Sequence, residues 1–416
     1  MPWEPLLDGD LADDAIVAAR EIALEIAEAA GDATAAERTL YWAYTASVID
    51  EPFAAAAYEA ALEALVADLQ RGAQHPGLYN NGLAGMGWAL CHVLDADAPE
   101  ARSALEVIDE ALVRVVAVER WRGHHDLVQG LAGLGVYFLE RLAAGPAPIA
   151  LDGLHRVVAH LDALATHGEL GATWLTPRAL LPEHHRDAWP DGHFDCGLAH
   201  GVAGAIAFLA RAAEVADAPP RARALCDEAV RWISAQRQAP DPSGRFPGMT
   251  FAGAGEDRTR AAWCYGDPGV ASALWIASRG GELARATARD CAERDAATAG
   301  ILDSGLCHGA CGLAHLLNRF YQASGDAACR DAARTWFARA LEMRGPGGIA
   351  GFTAWRGATE GYQPVANLLE GALGVGLSLV AAASPHAPSW DRMMLVDLPA
   401  HLPAHLPAPV AASGVA

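Results

Sequence analysis

Positive charge is scarce in this chain. Lys and Arg number 30 against 51 Asp and Glu, a formal charge of −21 over 416 residues. Such a field repels nucleic acid and anionic lipid, yet tolerates a basic or neutral peptide partner. The opening stretch, MPWEPLLDGDLADDA, lacks a basic start and an apolar run, so it does not read as a signal peptide. No apolar run reaches the roughly 18 residues that a membrane-spanning helix needs. The longest candidate, near 372–383, is too short. Eight cysteines are too few for a disulfide framework at this length. In the reducing cytoplasm that these absences imply, clustered Cys and His favour metal binding or catalysis. Period-two runs of Val, Ile and Thr are nearly absent, so strands should be few.

What is present is apolar and helical. Apolar residues make up 52% of the chain, enough for a sizeable core. Six short stretches resemble one another: GLAG at 82–85, GLAG at 130–133, GVAG at 201–204, GDPG at 266–269, GACG at 309–312 and GALG at 371–374. Each opens an Ala- and Leu-rich run that is apolar nearly all round, which suits an inner helix. Upstream lie charged amphipathic segments, near 54–71, 99–117, 153–166, 221–237, 285–299 and 327–343, which suit an outer layer. Residues 12–30 and 37–49 supply a seventh pair without the glycines. Spacing between glycine stretches varies from 43 to 71 residues, too irregular for an open solenoid. A closed double layer of helices is expected over 1–385, followed by a Pro/Ala-rich, disordered tail at 386–416. Loops at 167–199, 238–265 and 344–370 are long and should gather at one end of the ring.

Chemistry concentrates just before the glycines. DSGLCHGACG carries Cys307 and His308, RTRAAWCYGDPG carries Cys264, DCGLAHGVAG carries His200, and HHDLVQGLAG carries Asp126. If the inner helices run one way, these residues meet at the mouth of the ring. Helix N-termini there would favour thiolates. Two thiolates and one imidazole make a tetrahedral zinc site with one position open, the pattern of catalytic zinc. The open position could take a substrate thiol and deprotonate it. Each residue also has a plainer reading. Cys307 could be a small buried hydrophobe, though the adjoining His308 and the equivalent Cys264 weigh against that. His200 could be a core histidine and Arg260 a surface charge. Cys311 and Cys196 read as packing, His124 and His125 as solvated or supporting groups, and Cys91, Cys226, Cys291 and Cys329 as core.

GLAHGVAG, RAAWCYGDPG, CHGACG and the glycine repeat together resemble the lanthionine synthetase C-like family over roughly 12–385. The resemblance implies an α/α toroid of seven inner and seven outer helices. It implies one zinc ion held by Cys264, Cys307 and His308. It implies an acid/base group at His200, with Asp126, Arg260 and Tyr265 around the reacting centre. GACG departs from the family's usual Ala before the last glycine, and the Asp126 match is anchored only by the glycines that follow it. The implied reaction is Michael-type addition of a peptide cysteine to dehydroalanine or dehydrobutyrine, forming a (methyl)lanthionine thioether ring. The implied partner is a dehydrated precursor peptide, with a dehydratase and an exporter as candidate neighbours in a complex. The protein should be cytoplasmic, or peripheral to such a membrane-associated complex, and is similar to the stand-alone cyclases. Addition of glutathione or another small thiol is a rival reading that a basic pocket would favour, and the sequence shows none clearly. A prenyltransferase-like toroid is disfavoured by the WCYG and CHG pairing. A non-catalytic zinc scaffold would be signalled by loss of His200 and Arg260, and both are present.

Overall fold

The computed structural model describes residues 3–29, 31–49, 51–94, 98–251, 254–256 and 259–399. Among them, helices alternate between two layers. The inner layer holds α2 (Ala35–Ile49), α4 (Leu83–Val93), α6 (Leu131–Ala143), α8 (Val202–Ala212), α10 (Asp267–Ser278), α12 (Ala310–Ser324) and α14 (Ala372–Ala383). The outer layer holds α1 (Gly9–Glu28), α3 (Ala54–Arg71), α5 (Pro99–Val116), α7 (Pro148–Leu164), α9 (Ala222–Ala235), α11 (Glu282–Glu293) and α13 (Ala327–Glu342). Each inner helix packs on the next, and α14 packs back on α2, so the ring is closed. The result is an α/α toroid of seven and seven.

Burial follows the sequence pattern. Helix α8 is buried at every position from Val202 to Ala210, whereas α9 buries Leu225, Cys226, Ala229, Trp232 and Ile233, a single stripe at helical spacing. The first pair departs from expectation. Periodicity couples 12–30 with 37–49, but α1 lies chiefly behind α14, and α2 takes α3 as its outer partner. The chain's first helix therefore backs its last.

The glycines have a local cause. Gly130 and Gly309 are N-caps with no capping side chain. Loop carbonyls cap the helix instead: the N–H groups of Ala310, Cys311 and Gly312 donate to Asp303, Ser304 and Gly305. The loop thus crosses the first helical turn at close range. A Cβ on Gly133, Gly204, Gly269, Gly312 or Gly374 would come within 2.3 Å of a carbonyl oxygen six residues back. Neighbouring backbones do approach closely here, but the neighbour is the helix's own loop.

The long loops carry short strands that the sequence did not signal: β1 (Thr166–Gly168), β2 (Gly171–Thr173), β3 (Leu175–Thr176), β4 (His193–Asp195), β5 (Met249–Phe251), β6 (Ala254–Glu256), β7 (Ala354–Trp355) and β8 (Tyr362–Gln363). Two or three residues are too few to display a period of two. Strands β3 to β6 form one antiparallel sheet, and its β4–β5 pairing ties the loop before α8 to the loop before α10.

Residues 386–399 correct the expected boundary at 385. Ser389–Met394 form a 3-10 turn that buries Trp390, Asp391, Met393 and Met394. Tyr79 donates to the Met393 carbonyl at 3.0 Å and Trp263 Nε1 to that of Met394 at 2.9 Å. Arg319 forks onto Asp391 at 2.6 and 2.7 Å. These partners come from separate sides of the ring, which places the segment on its axis. The rest of the expected tail, 400–416, lies outside the described residues. No described helix is long and apolar enough to cross a membrane.

Candidate functional site

A circuit of backbone hydrogen bonds assembles the site. The N–H of Leu127 donates to Ala199, that of Ala199 to Cys264, that of Cys264 to Cys307, and that of Cys307 to Leu369, at 3.2, 3.3, 3.3 and 2.7 Å. Ala199, Cys264, Cys307 and Leu369 each stand two residues before an N-cap glycine. Equivalent loop positions are thereby stitched together round the rim. Asp126, His200 and the Cys264 cluster come from chain segments far apart, and the circuit makes them neighbours.

Cys264, Cys307 and His308 place one sulfur or nitrogen atom each within 4.8 Å of one another. Cys264 is buried and the other two are half-buried. The donor set fits zinc: three soft-to-borderline ligands at a common point, with Cys307 and His308 open enough for a fourth ligand to reach. Electrostatics points the same way. The Cys264 thiol is held well below its ordinary value, chiefly by a hydrogen bond from Cys307, then, against burial, by His308 and Arg260. Keeping that proton, together with burial, pushes Cys307 well above its own. Without a cation only one of the two thiols ionises readily; a divalent ion would relieve that conflict. Asp303 stands 3.9 Å from His308 Nε2 and accepts from the backbone of Gly305 and Trp355. It is a buried group suited to orienting a ligating imidazole.

The first-turn N–H groups of α12 are taken by loop carbonyls, and side chains act on the thiols instead.

A second constellation adjoins the first. His200 Nδ1 is 2.8 Å from Asp126 Oδ2, and Gln129 N–H donates to Asp126 Oδ1 at 2.7 Å. Burial disfavours the imidazolium, but the hydrogen bond and charge of Asp126 outweigh it, and Asp195 and Cys264 add to them, leaving His200 above its usual value. Tyr265 stacks on His200 with ring centroids 6.1 Å apart. Its hydroxyl donates to Asp195 Oδ2 at 2.8 Å. Burial raises the Asp195 carboxyl to about 6, and burial together with Asp195 pushes the Tyr265 phenol far up. These groups line a cleft of about 480 Å³ together with His124, Thr176, Leu180, His185, His193 and Met249. Arg260 is exposed, and its charge acts on Cys264, Cys307 and His308.

Asp195 and Asp303 escaped sequence reasoning. A signal existed: Asp195, Arg260 and Asp303 all stand six residues before their N-cap glycine. Of the two readings of His125, solvated or supporting, burial removes the first. It is buried against Trp174, and burial lowers it to about 4. Cys311 is fully buried with its thiol pushed up to about 12 by burial, and it stands outside the metal cluster. Beside the cleft, sharing His124, Thr176 and Leu180 with it, lies a second hollow of about 340 Å³ that includes Arg120 and Arg122.

A family model described as lanthionine synthetase C-like protein matches residues 40–395. Among solved structures, nisin cyclase aligns with a TM-score of 0.68 and 18% identity, covering 88% of this chain and 92% of that one. That likeness is one of fold. No match was found among curated proteins.

Proposed function

The chain belongs to the lanthionine synthetase C-like proteins, and on that premise we propose that it closes thioether rings in a dehydrated peptide. A cysteine thiolate of the peptide adds to the β-carbon of dehydroalanine or dehydrobutyrine. The observation that carries this reading is the meeting, at one rim, of a Cys264–Cys307–His308 donor set with the Asp126–His200 pair. Zinc bound by those three residues would supply the acidity that turns a substrate thiol into a thiolate.

The chain's own residues do the rest. As the S–C bond forms, the π electrons of the alkene move onto the substrate carbonyl, giving an enolate. His200, kept protonated by Asp126, delivers the proton that the α-carbon needs. Arg260 faces the developing negative charge. Tyr265, held by Asp195, stacks on the imidazole and limits its rotation. Asp303 orients His308.

The test is direct. Purified protein, a dehydrated precursor and zinc should consume free thiol with no change in mass. Alkylation before mass spectrometry counts the cysteines left open, and a no-enzyme control sets the background. Closure no faster than background, at full zinc content, would refute the reading.

A further inference from the structure

The hollow beside the reacting cleft has an unusual lining for so acidic a protein. Arg120, Trp121, Arg122, His124, His125 and Trp174 line it, and among the described residues no Asp or Glu does. Glu119 precedes Arg120 in the chain but is not part of the wall. Both arginines are exposed, whereas Trp174 is buried as a wall. His125 adds a second observation: its Nε2 is buried and has no hydrogen-bond partner. The chain has no lysine at all, so every permanently charged side-chain cation is a guanidinium, the group whose flat fork matches a carboxylate.

We propose that this hollow is a docking subsite for an acidic segment of the peptide substrate, Asp or Glu carboxylates meeting Arg120 and Arg122 between aromatic walls. The inference rests on the ring-closing reading above. Geometry favours a chain-like occupant over a small anionic thiol. Neither the arginine hollow nor the cleft beyond it is lined by Cys264, Cys307 or His308. A ligand held at the arginines must pass through the cleft of His200 before its sulfur reaches the donor cluster. A peptide does so naturally, since its carboxylates and its cysteine sit on different residues. Charge complementarity completes the argument: over a surface of formal charge −21, a local pair of guanidinium groups marks where an anionic segment is tolerated.

The test uses the whole zinc-loaded protein and two synthetic peptides. Each carries a dehydroalanine and a cysteine; one has a flanking Asp-Glu run, the other an Asn-Gln run. Binding is read by anisotropy with a neutral dye, and ring closure by thiol alkylation. The acidic peptide should bind about tenfold tighter, the scale of one charge-assisted hydrogen bond. That preference should fade with salt and vanish in the R120Q/R122Q variant, with zinc content and kcat unchanged. Equal affinity of wild type for both peptides, with normal closure, overturns the docking subsite and leaves the cyclase reading intact. Arginine-dependent binding without any closure supports the subsite and refutes the cyclase instead. Displacement of the acidic peptide by equimolar S-methylglutathione would make the hollow a small-anion site and also overturn the proposal.

Discussion

Replacing Gly312 by Ala should damage the proposed metal site without touching any of the three residues that would hold the ion. A Cβ at 312 would lie 1.9 Å from the Leu306 carbonyl oxygen, where contacts below 3.0 Å are essentially never seen. That carbonyl must retreat by at least about 1.1 Å. It cannot do so freely. The Leu306 side chain already presses on Gly374, where a Cβ would meet it at 2.8 Å, and the next N–H, of Cys307, is bonded to Leu369 at 2.7 Å. The shift therefore passes into Cys307 and His308. Metal–ligand distances tolerate only about 0.2 Å, so a displacement several times larger disrupts coordination. Overpacking of this kind costs about 1–3 kcal/mol of stability. Zinc affinity should fall about 10- to 100-fold, the scale found for disturbed supporting groups. Competition with a chromophoric chelator measures the affinity, and thermal unfolding measures the stability. Gly345 is the control: nothing lies within 4 Å of its Cβ position, so Gly345→Ala should leave both unchanged. Wild-type zinc affinity and an unshifted Tm in Gly312→Ala would refute the claim that the crossing loop is pinned.

Cys264→Ala and Cys307→Ala should each lose the zinc ion, whereas Cys311→Ala should keep it at a cost of about 1 kcal/mol; metal analysis of the three variants decides, and zinc loss from folded Cys311→Ala would make the site a three-cysteine one. His200→Asn should retain zinc and peptide binding yet close rings about two to four orders of magnitude more slowly, and an unchanged rate would pass the acid's role to Tyr265 or water. Asp126→Asn removes the charge that holds His200 above its usual value, so burial then dominates and the imidazole loses its proton at lower pH. Since the acid must be protonated, the alkaline limb of the pH–rate profile should move to lower pH, and a limb that stays put would separate it from His200. Chelation should abolish ring closure while far-UV circular dichroism persists, because the helical core closes through α14 and α2 rather than through the cluster; global unfolding would mark the metal as structural.

The sequence carried most of the fold because helical periodicity and glycine spacing are local signals. The six glycine stretches fell on inner helix starts because only glycine lets a loop cross the first turn so closely. Long-range choices were not legible in the same way. Nothing local says that α1 backs α14, because either layer partner would bury the same stripe. Residues 386–399 were drawn into the tail by the repeat PAHLPAHLPAP that begins at Pro399, although Trp390 and the Met393–Met394 pair are apolar groups in plain view. The meeting of Cys264, Cys307 and His308 was legible because Cys264 and Cys307 share a repeat position. Asp195 and Asp303 share one too, but a lone aspartate before glycine looks like any turn residue, and its partner, Tyr265 or His308, is distant in sequence.

The rim circuit frees the chain between its stations. Leu127, Ala199, Cys264, Cys307 and Leu369 are held together by backbone hydrogen bonds, the last four from equivalent positions, so the segments joining them need not match in length. Extra residues in a surface loop raise its closure cost only by about 0.6 kcal/mol per doubling. The turn between β1 and β2, with Glu169 and Leu170 exposed, can therefore be lengthened or shortened while the donor set and the Asp126–His200 pair keep their places. New peptide preferences can then arise in such turns alone, leaving the residues proposed to close the ring undisturbed.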